Sequence, residues 1–448
     1  MVEQVARQLN LRAVMDQFVA EGRISRAEIA RRSGLSKQTV SEIVAELEAA
    51  GWIRRTGDSV MSGAGGRSAA LYEVDPNAGA IVGVDLGGTK ISAALGDLGG
   101  GVRRELTVPT DPRGGRLVIA QIVGLARDLA VAEGLDPSRI RVLALGSPGA
   151  LDRRTGVMAF APNIPSFGDL DVAREIAAEL GAEVVVDNDV NIAALGEHWA
   201  GHGRGRSEFV FVSVGTGIGM GVVSEGVLRT GATGAAGEIA YLPLGTDPFD
   251  PANQLRGPLE EAVGGEGLAR RYAGGAARPA GRHGVPEIFA AAASGDPDAL
   301  AALDEEARTL ALAICAVAAV LDPELVVLGG GIGSRPELLE PVRGWLARLM
   351  PRPTPVLTSE LGPRAGLLGA VAVGLRTAHQ QLFPTPARVS GRVSGRVSAG
   401  GSSPASARVP AVGERLSVPV PAPSLAGPVG GGPDSGGLGA GLTVGSVG

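Results

Sequence analysis

The chain has 448 residues, a single cysteine at position 315 and a formal net charge of −6. This length allows two or three domains, each with a hydrophobic core of its own. The charge excludes a basic field over the whole surface, and the single cysteine excludes a disulfide framework and argues against a cysteine-built metal site.

The first predicted elements are two short helices separated by a turn. Residues 26–33 favour the first helix, with Ser25 as its N-cap and Gly34 as the residue that ends it. Ser36 caps the second helix. The apolar residues of the second helix fall on one face, at Val40, Ile43, Val44 and Leu47.

A wing follows, predicted from two short strands at residues 52–55 and 70–74 around a glycine-rich loop. These elements predict a winged helix-turn-helix domain over residues 1–75. Residues 1–72 carry ten Arg or Lys against eight Asp or Glu, which favours DNA as the partner of this domain. The alternative is a helical module used only for dimerisation. The predicted DNA-binding residues lie at the start of the second helix and in the wing loop: Ser36, Lys37, Gln38, Thr39, Ser41 and Arg67.

From residue 80 onward, apolar runs alternate with helical patterns, and glycine turns follow many of the runs. This alternation predicts an α/β domain over residues 80–380, with two related halves that face a cleft. Beyond residue 385 the sequence is dominated by Pro, Gly, Ser, Ala and Val without a periodic apolar face. Residues 385–448 are therefore predicted to be a disordered tail.

The motif with the most chemical content follows the first strand of this domain and runs from Asp85 to Lys90. Its glycines let backbone N–H groups approach a phosphate, and Thr89 and Lys90 can donate to the same group. Asp85 can hold a hydrated Mg²⁺ ion. Two further glycine loops, at residues 215–219 and 329–333, also follow apolar strands, although each alone is equally an ordinary turn after a strand.

Taken in order, these motifs resemble those of the ROK family, which contains repressors, open reading frames and sugar kinases. The resemblance covers about residues 80–378 and rests on seven segments: 85–90, 147–149, 163–165, 187–191, 215–221, 237–239 and 329–333. It implies an actin-like ATPase fold of the sugar kinase and Hsp70 type, with two α/β lobes around a cleft, and a homodimer or homotetramer. The nucleotide-binding residues that it implies are Asp85, Gly87, Gly88, Thr89, Lys90, Gly215, Thr216, Gly217, Gly330 and Gly331.

The resemblance also implies a set of sugar contacts. These are Asn163, Asn188, Asp189, Glu238 and Glu260, whose amides and carboxylates suit vicinal hydroxyls. If a reaction occurs, Asp189 is the predicted catalytic base, because it can accept the proton of the sugar hydroxyl that attacks the γ-phosphate. Asp189 can equally be a sugar ligand only, and Asn188 or Asp189 can instead cap the helix that follows.

The sequence departs from the family pattern after Ile239. Tyr241 stands where the family has a zinc-binding histidine, and residues 242–258 contain no cysteine. No zinc site is therefore expected. Tyr241 is predicted either to contact the sugar or to fill space.

These features predict a DNA-binding transcriptional regulator of carbohydrate metabolism, expected to be a repressor, whose ROK domain senses a sugar or a sugar phosphate. The alternative is a glucokinase-like, ATP-dependent sugar kinase, or a protein with both functions. If ATP binds, Asp85 is the predicted Mg²⁺ ligand. Residues 1–10 lack the apolar region of a signal peptide and no run is long enough to span a membrane, so a cytoplasmic location without membrane contact is expected.

Overall fold

A computed structural model of the chain describes residues 2–61, 68–152, 157–159, 164–168, 170–274 and 284–382. The described helices are α1 (Val2–Glu21), α2 (Arg26–Ser33), α3 (Lys37–Ala49), α4 (Gly115–Ala132), α5 (Val172–Leu180), α6 (Asp189–Ala200), α7 (Pro258–Val263), α8 (Gly265–Ala273), α9 (Val285–Ala293), α10 (Pro297–Leu321), α11 (Gly330–Gly333), α12 (Pro336–Leu349) and α13 (Ala365–Leu382). The described strands are β1 (Arg23–Ser25), β2 (Ile53–Met61), β3 (Ser68–Val74), β4 (Ala80–Leu86), β5 (Lys90–Asp97), β6 (Val102–Pro109), β7 (Ile140–Ser147), β8 (Ala150–Asp152), β9 (Val157–Ala159), β10 (Glu183–Asn188), β11 (Phe209–Val214), β12 (Ile218–Ser224), β13 (Val227–Arg229), β14 (Leu325–Gly329) and β15 (Val356–Thr358).

The N-terminal elements form the predicted winged helix-turn-helix. The Ser25 hydroxyl accepts the Glu28 N–H at 3.3 Å at the start of α2, and the Ser36 hydroxyl accepts the Thr39 N–H at 3.0 Å at the start of α3. Both predicted N-caps are therefore present. The sequence did not reveal α1 or β1, and β1 adds a third strand to the wing in the order β1-β3-β2.

The remainder consists of two halves with the same sheet topology. The sheet of the first half, lobe I, has the order β10-β7-β4-β5-β6, and that of the second, lobe II, has the order β13-β12-β11-β14-β15. In lobe I, β4, β5 and β6 are joined as antiparallel hairpins, and β7 and β10 extend the sheet in parallel from the other edge of β4. In lobe II, β11, β12 and β13 form the antiparallel hairpins, and β14 and β15 extend the sheet in parallel from β11. This confirms the two related halves that the alternating pattern predicts.

Alternating side chains of the lobe I strands enter two separate cores. Val82 and Leu143 pack under α4 and α5, whereas Ile81 and Val142 face α6 and α13 between the lobes. A third core lies under the helices of lobe II, chiefly α10 and α12. Because both faces of each sheet are covered, the strands are apolar throughout rather than alternating, as expected for buried parallel strands.

Helices α6 and α13 cross between the lobes at very short range. A β-carbon at Gly369 of α13 would lie 1.8 Å from the carbonyl oxygen of Ile192, and one at Gly196 of α6 would lie 2.2 Å from that of Ala365. Only glycine leaves room for this approach, so the crossing depends on two glycines that face each other.

The winged helix shares a continuous apolar core with lobe I. Val14 and Phe18 of α1 belong to the same buried cluster as Leu98 and Ile81 of lobe I. The guanidinium of Arg141 stacks over the Trp52 ring, 5.9 Å from its centroid. The winged helix is thus packed on lobe I rather than tethered by a free linker. In the part of the chain that the structure describes, no helix combines the length and apolarity needed to cross a bilayer.

Candidate functional site

Four carboxylates from distant parts of the chain converge on the cleft. Asp85 ends β4, Asp189 begins α6, Glu238 precedes a short 3-10 turn and Glu260 lies on α7. Asp85 interacts electrostatically with Asp189, Asp189 with Glu238, and Glu238 with Glu260. The structure therefore brings together the predicted catalytic residue, the predicted Mg²⁺ ligand and two predicted sugar contacts.

The electrostatics of this cluster favour protonation. Burial raises the pKa of Asp85 to about 7, with a further rise from the Asp189 carboxylate that Lys90 opposes. Burial also raises the pKa of Asp189 to about 6, although two backbone N–H groups oppose the shift. The pKa values of Glu238 and Glu260 are raised as well, again chiefly by burial. A carboxylate near neutrality is suited to accept or release a proton, as a general base must.

Asp85→Asn is expected to stabilise the protein at pH 8 and to change little at pH 4. The pKa of Asp85 is about 7 in the folded state, above its ordinary value of 3.8. Between these two pH values the folded state holds a proton that the unfolded chain has released, so the free energy of unfolding falls as the pH rises from about 4 through 7. Asparagine cannot ionise, and a shift of this size corresponds to a gain of roughly 4 kcal/mol at pH 8. Urea unfolding at pH 4, 6 and 8 in Mg²⁺-free buffer measures this, and an equal change at every pH would contradict it.

The first two glycine loops occupy equivalent positions in the two sheets. The loops at residues 87–90 and 215–217 join equivalent hairpins, β4–β5 in lobe I and β11–β12 in lobe II. A β-carbon at Gly215 would lie 3.5 Å from the Gly331 nitrogen, so the second and third loops are adjacent. Thr89 and Lys90 are exposed at the first loop, and the backbone at Gly331 borders open space. Binding of a nucleotide by these loops, with Asp85 and Lys90 for its Mg²⁺ and phosphates, stays a prediction.

Sequence reasoning missed the residues that hold these parts in place. The Thr110 hydroxyl donates to the Gly87 carbonyl oxygen at 2.7 Å, and the Thr110 backbone N–H donates to the Thr89 carbonyl oxygen at 3.1 Å. These two hydrogen bonds brace the first loop. The buried Asp187 carboxylate accepts the side-chain amide of Asn191 at 3.1 Å. The spacing of four between Asp187 and Asn191 was a usable signal, but nothing in the sequence links Thr110 to Gly87.

Asn188 is the N-cap of α6. Its Oδ1 accepts the N–H groups of Val190 at 2.9 Å and Asn191 at 3.2 Å, and its Nδ2 donates to the Gly149 carbonyl oxygen at 2.9 Å. This is the capping role that the sequence left open. Most of the hydrogen-bonding capacity of Asn188 is used by the protein itself, and its role as a sugar contact stays a prediction.

Two protein families match this chain, each over a different part of it. The ROK family model matches residues 81–376, and a MarR family model matches residues 14–60. The chain belongs to the ROK family. Its N-terminal winged helix is of the MarR type.

Relatives of the ROK domain include sugar kinases and a regulator. A glucokinase of Thermotoga maritima is 30% identical over 315 residues, which cover 65% of this chain and 96% of the relative. The solved ROK hexokinase of Thermus thermophilus is 33% identical with a TM-score of 0.56, over 65% of this chain and 96% of that one. A solved ROK family transcriptional regulator, a homologue of the E. coli Mlc protein, is 23% identical with a TM-score of 0.68, over 84% of this chain and 98% of that one. This last likeness, which concerns the fold alone, extends beyond the kinase-like core.

Tyr241 of the ROK domain braces the loop that follows it. Its side chain is 49% exposed, and its hydroxyl donates to the Leu255 carbonyl oxygen at 3.2 Å. Within the loop, the side-chain amide of the buried Asn253 donates to the Asp247 carbonyl oxygen at 2.5 Å, and Arg256 pairs with Glu266 at 2.6 Å. This loop, at residues 242–257, is therefore held by hydrogen bonds and an ion pair. Contact of Tyr241 with a sugar stays a prediction.

The predicted DNA-reading face is the exposed start of α3. Lys37 and Gln38 are exposed, Ser41 is half-buried, and the amide of Gln38 donates to Glu42 at 3.1 Å. The hydroxyls of Ser36 and Thr39 contact each other at 2.8 Å as part of the cap. The predicted contacts Arg67 and Asn163, like the predicted tail at 385–448, lie outside the described residues.

The arginines around this face are occupied by acidic partners. Arg31 and Arg32 both pair with Glu28, which holds the pKa of that carboxyl at about 2. In the wing, Arg54 pairs with Glu73 at 2.8 Å. These exposed pairs are individually weak, so each arginine can exchange its carboxylate for a DNA phosphate at small cost.

Proposed function

We propose that this protein is a DNA-binding transcriptional regulator of carbohydrate metabolism, a repressor, whose ROK domain senses a sugar or a sugar phosphate. The observation that carries the proposal is the winged helix, which is packed on lobe I with the polar start of α3 exposed. The regulator of known structure that has a similar fold over 84% of this chain supports it at the level of fold. A homodimer, the arrangement we propose, would present two such faces to two half-sites.

The cleft supplies the sensing part of the proposal. Asp189, Glu238 and Glu260 offer acceptors for sugar hydroxyls; Asp189 follows strand β10 of lobe I, and Glu238 and Glu260 follow strand β13 of lobe II. A ligand that contacts both lobes binds one lobe arrangement better than another and shifts the population towards it. The winged helix moves with lobe I, so such a shift changes its position relative to lobe II.

Fluorescence anisotropy with DNA from upstream of the coding region tests the proposal. We expect binding that weakens steeply between about 50 and 200 mM salt, because basic side chains release counterions from phosphates. Glucose, xylose and N-acetylglucosamine, each with and without a 6-phosphate where it exists, are then added to the preformed complex. Absence of salt-sensitive binding with every ligand would overturn the proposal, and binding that no sugar changes would remove the sensing part.

A sugar kinase is the second candidate. The glycine loops and the raised pKa of Asp189 favour it, as do the glucokinase and hexokinase relatives. In this case Asp189 would accept the proton of the sugar hydroxyl that attacks the γ-phosphate of ATP, ADP would leave, and Asp85 and Lys90 would hold the Mg²⁺ and the phosphates. A coupled assay over the same sugars compares the wild type with Asp189→Asn. Equal background rates in the two proteins would exclude the kinase.

A further inference from the structure

Glu260 lies directly against the glycine loop at residues 215–219. Its Oε2 accepts the backbone N–H of Ile218 at 3.2 Å. A β-carbon at Gly217 would lie 2.3 Å from the same oxygen, so glycine is required for the carboxylate to come this close. The carboxylate therefore occupies a donor and a surface of the loop that a phosphate would use.

This contact is held by the backbone around it. The loop is closed by a hydrogen bond from the Gly215 N–H to the Gly217 carbonyl oxygen at 2.9 Å. The N–H of Gly265, at the start of α8, donates to the Gly215 carbonyl oxygen at 2.9 Å. The N–H of Gly264 donates to the Glu260 carbonyl oxygen at 2.7 Å. The loop and the residue that covers it thus share one hydrogen-bonded frame.

The charges around Glu260 would oppose a second anion. Glu238 and Glu261 add negative potential at its carboxylate, and Arg256 is the cation that acts on it. Arg256 is itself paired with Glu266 at 2.6 Å. A polyphosphate that entered this loop would meet a half-buried carboxylate at short range, where repulsion is poorly screened.

We propose that Glu260 is an internal anion that keeps the loop at residues 215–219 closed to nucleoside polyphosphates until a sugar draws its carboxylate into the cleft. A sugar hydroxyl can donate to the Glu260 carboxylate in place of the Ile218 N–H. Once the carboxylate has moved to the sugar, the Ile218 N–H is available to a phosphate. The loop thereby becomes a nucleotide site only in the sugar-bound state. This inference rests on the proposed sugar-binding role of the same cleft.

Calorimetric titration of the full chain with a non-hydrolysable ATP analogue and Mg²⁺ tests the inference. Without sugar, Glu260→Gln is expected to bind the analogue about tenfold more tightly than the wild type, because a charged competitor for the loop is gone. Glu260→Asp keeps the charge but withdraws it by one methylene, so it is expected to gain affinity as well. Glu340→Gln removes the same charge from an exposed position on α12, where Glu340 pairs with Arg343, and is expected to match the wild type.

The wild type is expected to gain the same affinity when a saturating sugar is present. Thermal unfolding of each variant establishes that it is folded before it is titrated. Equal affinity of the wild type, Glu260→Gln and Glu260→Asp overturns the inference, as does a loss of affinity in both variants. If no protein binds the analogue while sugars still alter DNA binding, the inference fails and the proposed function stands. If the variants gain affinity but no DNA is bound, the proposed regulator fails and the loop closure stands.

Discussion

Gly369→Ala is expected to lower the free energy of unfolding by about 3 kcal/mol, because a methyl group has no space at the α6–α13 crossing. Its β-carbon would lie 1.8 Å from the Ile192 carbonyl oxygen and 2.9 Å from the Gly196 nitrogen. Both are backbone atoms, so relief requires that one helix move away from the other. The cleft carboxylates Asp85 and Asp189 lie at the N-terminal ends of these two helices, so ligand binding is expected to weaken with stability.

Gly374→Ala is the matched control for this substitution. It lies in the same helix, but its β-carbon would be 3.5 Å from that of Ile81 and 3.7 Å from that of Ala144, which are ordinary contacts. Alanine is the better helix former by about 1 kcal/mol, so Gly374→Ala is expected to leave stability unchanged or to raise it. Urea unfolding followed by circular dichroism measures both variants. Equal midpoints would show that the crossing tolerates a methyl group.

The double variant Lys37→Ala, Gln38→Ala is expected to weaken operator binding by about a hundredfold. Gln38 can pair with an adenine edge once it leaves Glu42, and Lys37 can contact a base or a phosphate. Loss of a lysine–phosphate contact also lowers the slope of affinity against salt by about one. Both residues are exposed, so the fold should be unaffected. Anisotropy titrations at several salt concentrations give both quantities.

Arg308→Ala controls for the loss of positive charge in this experiment. Arg308 lies on α10 of lobe II, where it pairs with Glu305 of the same helix at 2.9 Å. Its removal is expected to leave DNA affinity within a factor of about two, since screening limits charge effects to about 10 Å. If the double variant and Arg308→Ala weakened binding equally, the start of α3 would not be the reading face.

Local signals made the winged helix predictable. Ser25 and Ser36 each precede a helix and accept the backbone N–H of the residue three positions later. A helix cap of this kind involves only four consecutive residues, so it can be predicted from the local sequence. By contrast, β6 was missed because its central residues, Arg103 to Leu106, are mostly charged and exposed. An edge strand needs no apolar run, and a search for apolar runs passes over it.

The carboxylate cluster was predicted from family resemblance rather than from local pattern. Asp85 and Glu260 are far apart in sequence, and the two sheets and the α6–α13 crossing bring their environments together. The contact of Glu260 with the Ile218 N–H was not predictable by either route. It depends on where α7 lies relative to the loop at residues 215–219, to within less than the size of a methyl group.

The core shared by the winged helix and lobe I has a consequence for cooperativity. Val74 of the wing approaches Gly99 of lobe I, where a β-carbon would lie 3.5 Å from that of Val74, and the apolar cluster continues across the boundary. We therefore expect the winged helix to show no melting transition of its own and to unfold together with lobe I. A destabilising substitution in the core of lobe I, far from any DNA contact, is therefore expected to lower the fraction of molecules in which the winged helix is folded.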